Sequence, residues 1–132
     1  MVEVIIISHG QLAKGILDAS SMIIGEQEKV STLCLTPDQS VDAFKEKLSN
    51  LLNQSNSKEG VLILADLFGG TPANTAAAIA DDKEKVEIIT GINLPLLIEL
   101  LSSRKNSSLE ELVSIWKEAK GEGMKLISEI LD

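Results

Sequence analysis

The sequence contains one histidine, one cysteine, no tyrosine, two phenylalanines and one tryptophan in 132 residues. Each scarcity closes off a class of chemistry. One histidine and one cysteine cannot assemble a His/Cys metal cluster, so neither a metal nor another cofactor is expected. The lone Cys34 closes no internal disulfide, which fits a reducing compartment, and its apolar neighbours give it the reading of a small buried hydrophobe. Basic residues are outnumbered, 12 against 20 acidic, for a formal charge of −8. That balance argues against nucleic acid and anionic lipid as partners and would draw a protein with a basic face. No run approaches the roughly 18–20 apolar residues that a membrane span needs, and the N-terminus lacks a basic leader with a cleavage site. A cytoplasmic protein is expected.

What is present is an ample core in a regular rhythm. With 44% hydrophobic residues over 132 positions, the chain reads as one domain spanning 1–132. Val2 to Ile7 is a β-branched run, broken only by Glu3, of the kind buried on both faces of a parallel sheet. Leu12, Ile16, Ser20, Ile23 and Ile24 follow at helical spacing, and Gly25 ends that helix. Val30 to Leu35 is a second strand. Thr36-Pro37-Asp38-Gln39 reads as a capping box with proline at the first helical position, ahead of Val41, Phe44, Leu48, Leu51 and Leu52 on one helix face. Val61 to Ala65 and Val86 to Thr90 are further strands, each followed by a glycine-bearing loop into a helix, and Ser108 to Glu111 is a second capping box. The spacing predicts an α/β fold: a doubly wound open sheet of four parallel strands with helices on both faces. The tail MKLISEILD reads equally as helix or as a fifth, antiparallel edge strand.

Ligands of such sheets bind outside the carboxyl ends of the strands, where strand order reverses. Three loops leave that edge: Ser8-His9-Gly10, Asp66-Leu67-Phe68-Gly69-Gly70-Thr71 and Gly91-Ile92-Asn93. Asp66 is placed to hold one nitrogen of His9, fixing its tautomer and leaving the other nitrogen's lone pair free. Gly69, Gly70 and Thr71-Pro72 open a helix whose free N–H groups and dipole favour an anion, with the Thr71 hydroxyl as a further donor. A nucleophilic histidine, an orienting aspartate and a cradle for a transferred phosphoryl group are the sum of these parts.

These segments resemble the IIA component of the mannose/fructose/sorbose class of the bacterial sugar phosphotransferase system. ISHGQLAKGI is similar to the family's active-site segment, DLFGGTPAN to its second signature and GINLPLL to its third, in the right order and over nearly the whole chain. The resemblance implies that His9 accepts a phosphoryl group from the phosphocarrier protein HPr and passes it to a IIB component. It implies that Asp66 holds the ring and that Thr71 with the adjacent amides binds the phosphoryl oxygens. A homodimer is also implied, with a C-terminal strand exchanged between subunits in the best-known form, and membrane association only through the IIC/IID complex. Lacking an Ala/Pro-rich linker, the chain is expected to carry no fused IIB domain and to use a separate one. The transported sugar is set by components that this chain does not contain.

Plainer readings stand beside these. His9 alone could be a solvated loop residue, Asp66 a helix cap, and Gly69-Gly70 a tight turn. Asn93 and Pro95 read first as cap and first-turn proline, shaping the rim of the site, and Trp116 and Phe44 as core. Gly10, Phe68 and Asn93 are candidates for partner contact, Phe68 because an aromatic between the aspartate and the glycines can stand exposed. Two other classes compete. A receiver-type signalling domain phosphorylated on Asp66 would need an acidic cluster after its first strand to hold Mg²⁺, where this chain has Ser8-His9. A flavodoxin-like binding module would need aromatics to stack on its flavin, and few exist. A hydrolase with His9 as base lacks a nearby serine or cysteine nucleophile set.

Overall fold

The β-branched segments pair as their composition demands. A computed structural model describes residues 1–131. Strands β1 (Glu3–His9), β2 (Val30–Leu35), β3 (Val61–Ala65) and β4 (Val86–Thr90) form one parallel sheet in the order β2-β1-β3-β4. Helices α1 (Leu12–Ile24), α2 (Val41–Gln54), α3 (Thr71–Ala80), α4 (Leu94–Ser103) and α5 (Leu109–Ala119) follow the strands, and one short helical turn, α6, covers Ile127–Ile130.

Side chains alternate across the sheet and feed two cores. Val4, Ile6, Leu62, Leu64 and Ile89 pack with α1, α4 and α5, while Ile5, Ile7, Ile63 and Ala65 pack with α2 and α3. The central strands β1 and β3 are therefore buried on both faces, and each buried isoleucine or leucine contributes about 1.5–3 kcal/mol. Phe44 is fully buried and Trp116 half-buried against the first core, and Cys34 is half-buried there too.

Three local expectations are corrected. Thr36-Pro37-Asp38-Gln39 is a β-turn, closed by Gln39 N–H donating to the Thr36 carbonyl at 3.1 Å and by the Thr36 hydroxyl on Asp38 at 2.7 Å. Proline's fixed φ serves the second position of a turn as well as the first of a helix. The cap of α2 is Ser40, whose Oγ accepts from Ala43 N–H at 3.0 Å. On α1 the buried line is Ala13, Ile16 and Ser20, leaving Leu12 and Ile23 exposed, because both lines fit the helical period and docking selects the one that meets β1. Of the two readings of the tail, the chain takes the helical one at Ile127–Ile130, and no fifth strand forms among the described residues.

At the amino edge of the sheet lies a residue that belongs to no recognisable motif. Arg104, only 1% exposed, donates to the carbonyls of Val2 (3.3 Å), Lys29 (2.9 Å) and Glu28 (2.5 Å), tying the starts of β1 and β2 to the turn after α4.

Candidate functional site at the carboxyl edge of the sheet

The two central strands end side by side, Ile7 opposite Ala65, and the chain leaves them toward opposite faces. From β1 it enters α1 on one side; from β3 it enters α3 on the other. The crevice this opens is the topological switch point of the sheet. His9 closes β1, and Asp66 is the first residue after β3.

One carboxylate oxygen holds the histidine twice. Asp66 Oδ2 accepts the His9 backbone N–H at 2.9 Å and meets its ring Nδ1 at 2.8 Å. A carboxylate only accepts, so Nδ1 carries the ring proton and Nε2 keeps its lone pair. Asp66 is 10% exposed and His9 47%. Burial pushes the Asp66 carboxyl up, but the hydrogen bonds from the His9 amide and ring outweigh it and hold the group below its ordinary value. The second oxygen, Oδ1, is buried with no hydrogen-bond partner among the described residues.

The opposite wall is Gly70. A Cβ there would lie 2.7 Å from His9 Cε1 and 3.4 Å from Nε2, so the bare backbone makes room for the ring. Gly69 turns the loop at φ +82°, and Asn74 Nδ2 donates to its carbonyl at 3.1 Å. Gly70 is the N-cap of α3 without a side-chain cap, and Pro72 brings no N–H to the first turn. The amides of Thr71 and Ala73 are what that turn offers to an anion, together with the dipole. Thr71 is half-buried as the first residue of α3.

The third loop is tied in by Ile92 N–H on the Ala65 carbonyl at 3.2 Å. Asn93 Oδ1 caps α4 through Leu96 N–H at 2.9 Å, with Pro95 in the first turn, as the plainer reading of both had it. The Asn93 amide also abuts Gly123, where an added Cβ would approach it to 3.1 Å. Its side chain is thus engaged in holding the rim. Gly10, at φ +54°, turns the chain out of β1, its N–H on the Leu35 carbonyl at 2.8 Å. Phe68 is 85% exposed and Leu67 57%.

His9 shows about half of its side chain to solvent above a nearly buried Asp66. A surface hollow runs beside β2, from Lys14 and Cys34 to Gln39 and Lys47, and includes neither of them. A ring nitrogen presented in this way suits a group delivered by another macromolecule better than a small substrate that must be enclosed.

Comparison with known proteins gives this arrangement its lineage. Residues 3–116 match the family model described as PTS system fructose IIA component, EIIA-man. The chain belongs to that family. It is 31% identical to the fructose-specific EIIA component of Bacillus subtilis, over 100% of this chain and 90% of that one. To the mannose-specific EIIAB component of Escherichia coli K12 it is 36% identical over 96% of its own length, but it spans only 39% of that protein. Among solved structures, the phosphotransferase system component EIIA from Streptococcus agalactiae superposes with a TM-score of 0.89 at 29% identity, covering 98% of this chain and 99% of that one. As an EIIA-man family member the chain is a IIA component of the mannose/fructose/sorbose class of the phosphotransferase system. No helix among its described residues is long and apolar enough to cross a membrane.

Proposed function

We propose that this EIIA-man family chain is a phosphocarrier, taking a phosphoryl group from phospho-HPr onto Nε2 of His9 and passing it to a IIB component. The observation that carries the reading is the double contact of Asp66 Oδ2, which ties up Nδ1 and leaves Nε2 as the one free ring nitrogen on an open face. Nε2 attacks phosphorus as the bond to the donor breaks. The ring then becomes positive, and Asp66 stabilises that charge without giving up its own. The amides of Thr71 and Ala73 and the Thr71 hydroxyl receive the phosphoryl oxygens. Transfer onward reverses the step: an acceptor group on IIB attacks phosphorus and Nε2 leaves with its lone pair restored.

Phe68 and Leu67 form the apolar rim against which HPr and IIB would pack. The acidic excess supplies attraction to a basic partner face. The protein works in the cytoplasm as a homodimer, reaching the membrane only through IIC and IID.

Incubation with phosphoenolpyruvate, enzyme I and HPr, followed by intact mass measurement, tests the proposal. One added phosphoryl group is expected, labile in acid and stable in base, and none on His9→Ala. A label retained by His9→Ala would transfer the role to Asp66 and favour the receiver-type reading.

A further inference from the structure

We infer that Ser8 is a positioning residue for His9, holding the turn between β1 and α1 closed from inside the protein. Its kinetic consequence rests on the phosphocarrier reading of His9; its geometry does not. Ser8 precedes His9 in β1, so the pleat sends its side chain to the other face of the sheet, where it is 1% exposed. The hydroxyl oxygen accepts the Ala13 N–H at 2.7 Å, and the O–H donates to the Gly10 carbonyl at 3.2 Å.

Both bonds matter because nothing else makes them. Ala13 is fully buried, so water cannot serve its amide. Gln11, at the N-cap position of α1, makes no side-chain cap bond. The turn that carries the nucleophile is therefore fastened at three points. The His9 N–H is on Asp66, the Gly10 N–H is on Leu35, and the Gly10 carbonyl is on Ser8. The first two tie it to the loop after β3 and to β2, and Ser8 is the one side chain that ties it to α1, beside the main-chain bond from Gly15 N–H to the Gln11 carbonyl. Removing the hydroxyl orphans a buried donor and lets the Gly10 peptide rotate, so that the ring samples orientations in which Nδ1 misses Asp66.

Three variants test this. Ser8→Ala removes both bonds, Ser8→Cys keeps the volume with a poor acceptor, and Ser8→Thr keeps the hydroxyl on a residue suited to a strand. Each is measured for phosphoryl uptake from phospho-HPr by rapid quench, and for the Nδ1–H signal of its single histidine by ¹⁵N-resolved NMR. At a temperature where circular dichroism shows a folded protein, uptake should slow by about tenfold or more in the alanine and cysteine variants. The Nδ1–H signal should weaken in both, and Ser8→Thr should return both readouts toward wild type. If Ser8→Ala does not fold, Ser8→Cys carries the test. A wild-type rate with an unchanged ring signal in the folded variants would overturn the assignment and reduce Ser8 to a helix cap. Should the wild-type chain itself take up no phosphoryl group, the phosphocarrier reading fails and the ring signal alone decides. Its loss in the alanine variant upholds the role of Ser8, and its retention overturns it.

Discussion

Gly70 and the ring of His9 lie so close that no side chain fits between them: an added Cβ would stand 2.7 Å from Cε1. The backbone of Gly70 is itself ordinary, φ −80° and ψ 166°, and open to any residue. Gly70→Ala should therefore displace the ring without straining the chain, slowing phosphoryl uptake about tenfold or more while the melting temperature barely moves. Gly69→Ala is the contrasting case. Nothing lies within 4 Å of its added Cβ, yet φ is +82°, so the variant should lose about 1 kcal/mol of stability. Rapid-quench uptake and thermal melts of the pair distinguish the two effects, and an unimpaired Gly70→Ala would refute the steric account.

The Asp66 carboxyl is held below its ordinary value of 3.8, the His9 bonds outweighing burial. A carboxylate whose folded pKa is depressed stabilises the fold above its unfolded value, and that stabilisation is lost as pH falls through the folded one. The melting temperature of the wild type should thus fall more steeply than that of Asp66→Asn on acidification from about pH 5 to below the ordinary carboxylate value. At neutral pH, Asp66→Asn should keep its circular dichroism spectrum and transfer roughly a hundredfold more slowly, having lost the charge that balances the imidazolium. Parallel acid profiles for the two proteins would show that Asp66 does not carry the acid loss.

Arg104 serves three main-chain carbonyls at the end of the sheet remote from His9. Replacing it with methionine keeps bulk but strips this donor from the Val2 and Glu28 carbonyls and leaves Lys29 with only the Val4 N–H, at a cost of about 2 kcal/mol or more. Urea denaturation should show the loss. The variant should still take up phosphoryl at the wild-type rate below its unfolding transition, since nothing at the carboxyl edge depends on the clamp.

Phe68, 85% exposed in the loop between Asp66 and Gly70, should act on association alone. With Phe68→Ala, the HPr concentration for half-maximal transfer should rise about tenfold, within the range of an interface anchor, while the rate at saturation holds. A drop in the saturated rate with unchanged half-saturation would place the ring in the chemistry instead.

Strand and helix order was legible because burial on both faces leaves an uninterrupted apolar run, and β3 begins and ends where such a run does. The meeting of His9 with Asp66 was legible from topology, since parallel strands put their following loops on one edge. Ser40 was missed as a cap because Thr36-Pro37 satisfies helix and turn rules alike, and only the Asp38 bond to Thr36 decides between them. Ser8 and Arg104 were invisible for a different reason. Their partners are backbone groups, two and five residues on for Ser8 and in remote segments for Arg104, and a main-chain group leaves no mark in the sequence.

His9 and Asp66 stand 57 positions apart, and only the pairing of β1 with β3 joins them. During synthesis the histidine leaves the ribosome early and waits through all of α1, β2 and α2 for the residue that orients it. A nascent chain ending before Asp66 carries an imidazole free to take either tautomer, beside a strand with no neighbour on one side. On the phosphocarrier reading, full reactivity would therefore wait for the β3 segment to dock, and a shorter product would divert phosphoryl groups from the finished protein only slowly.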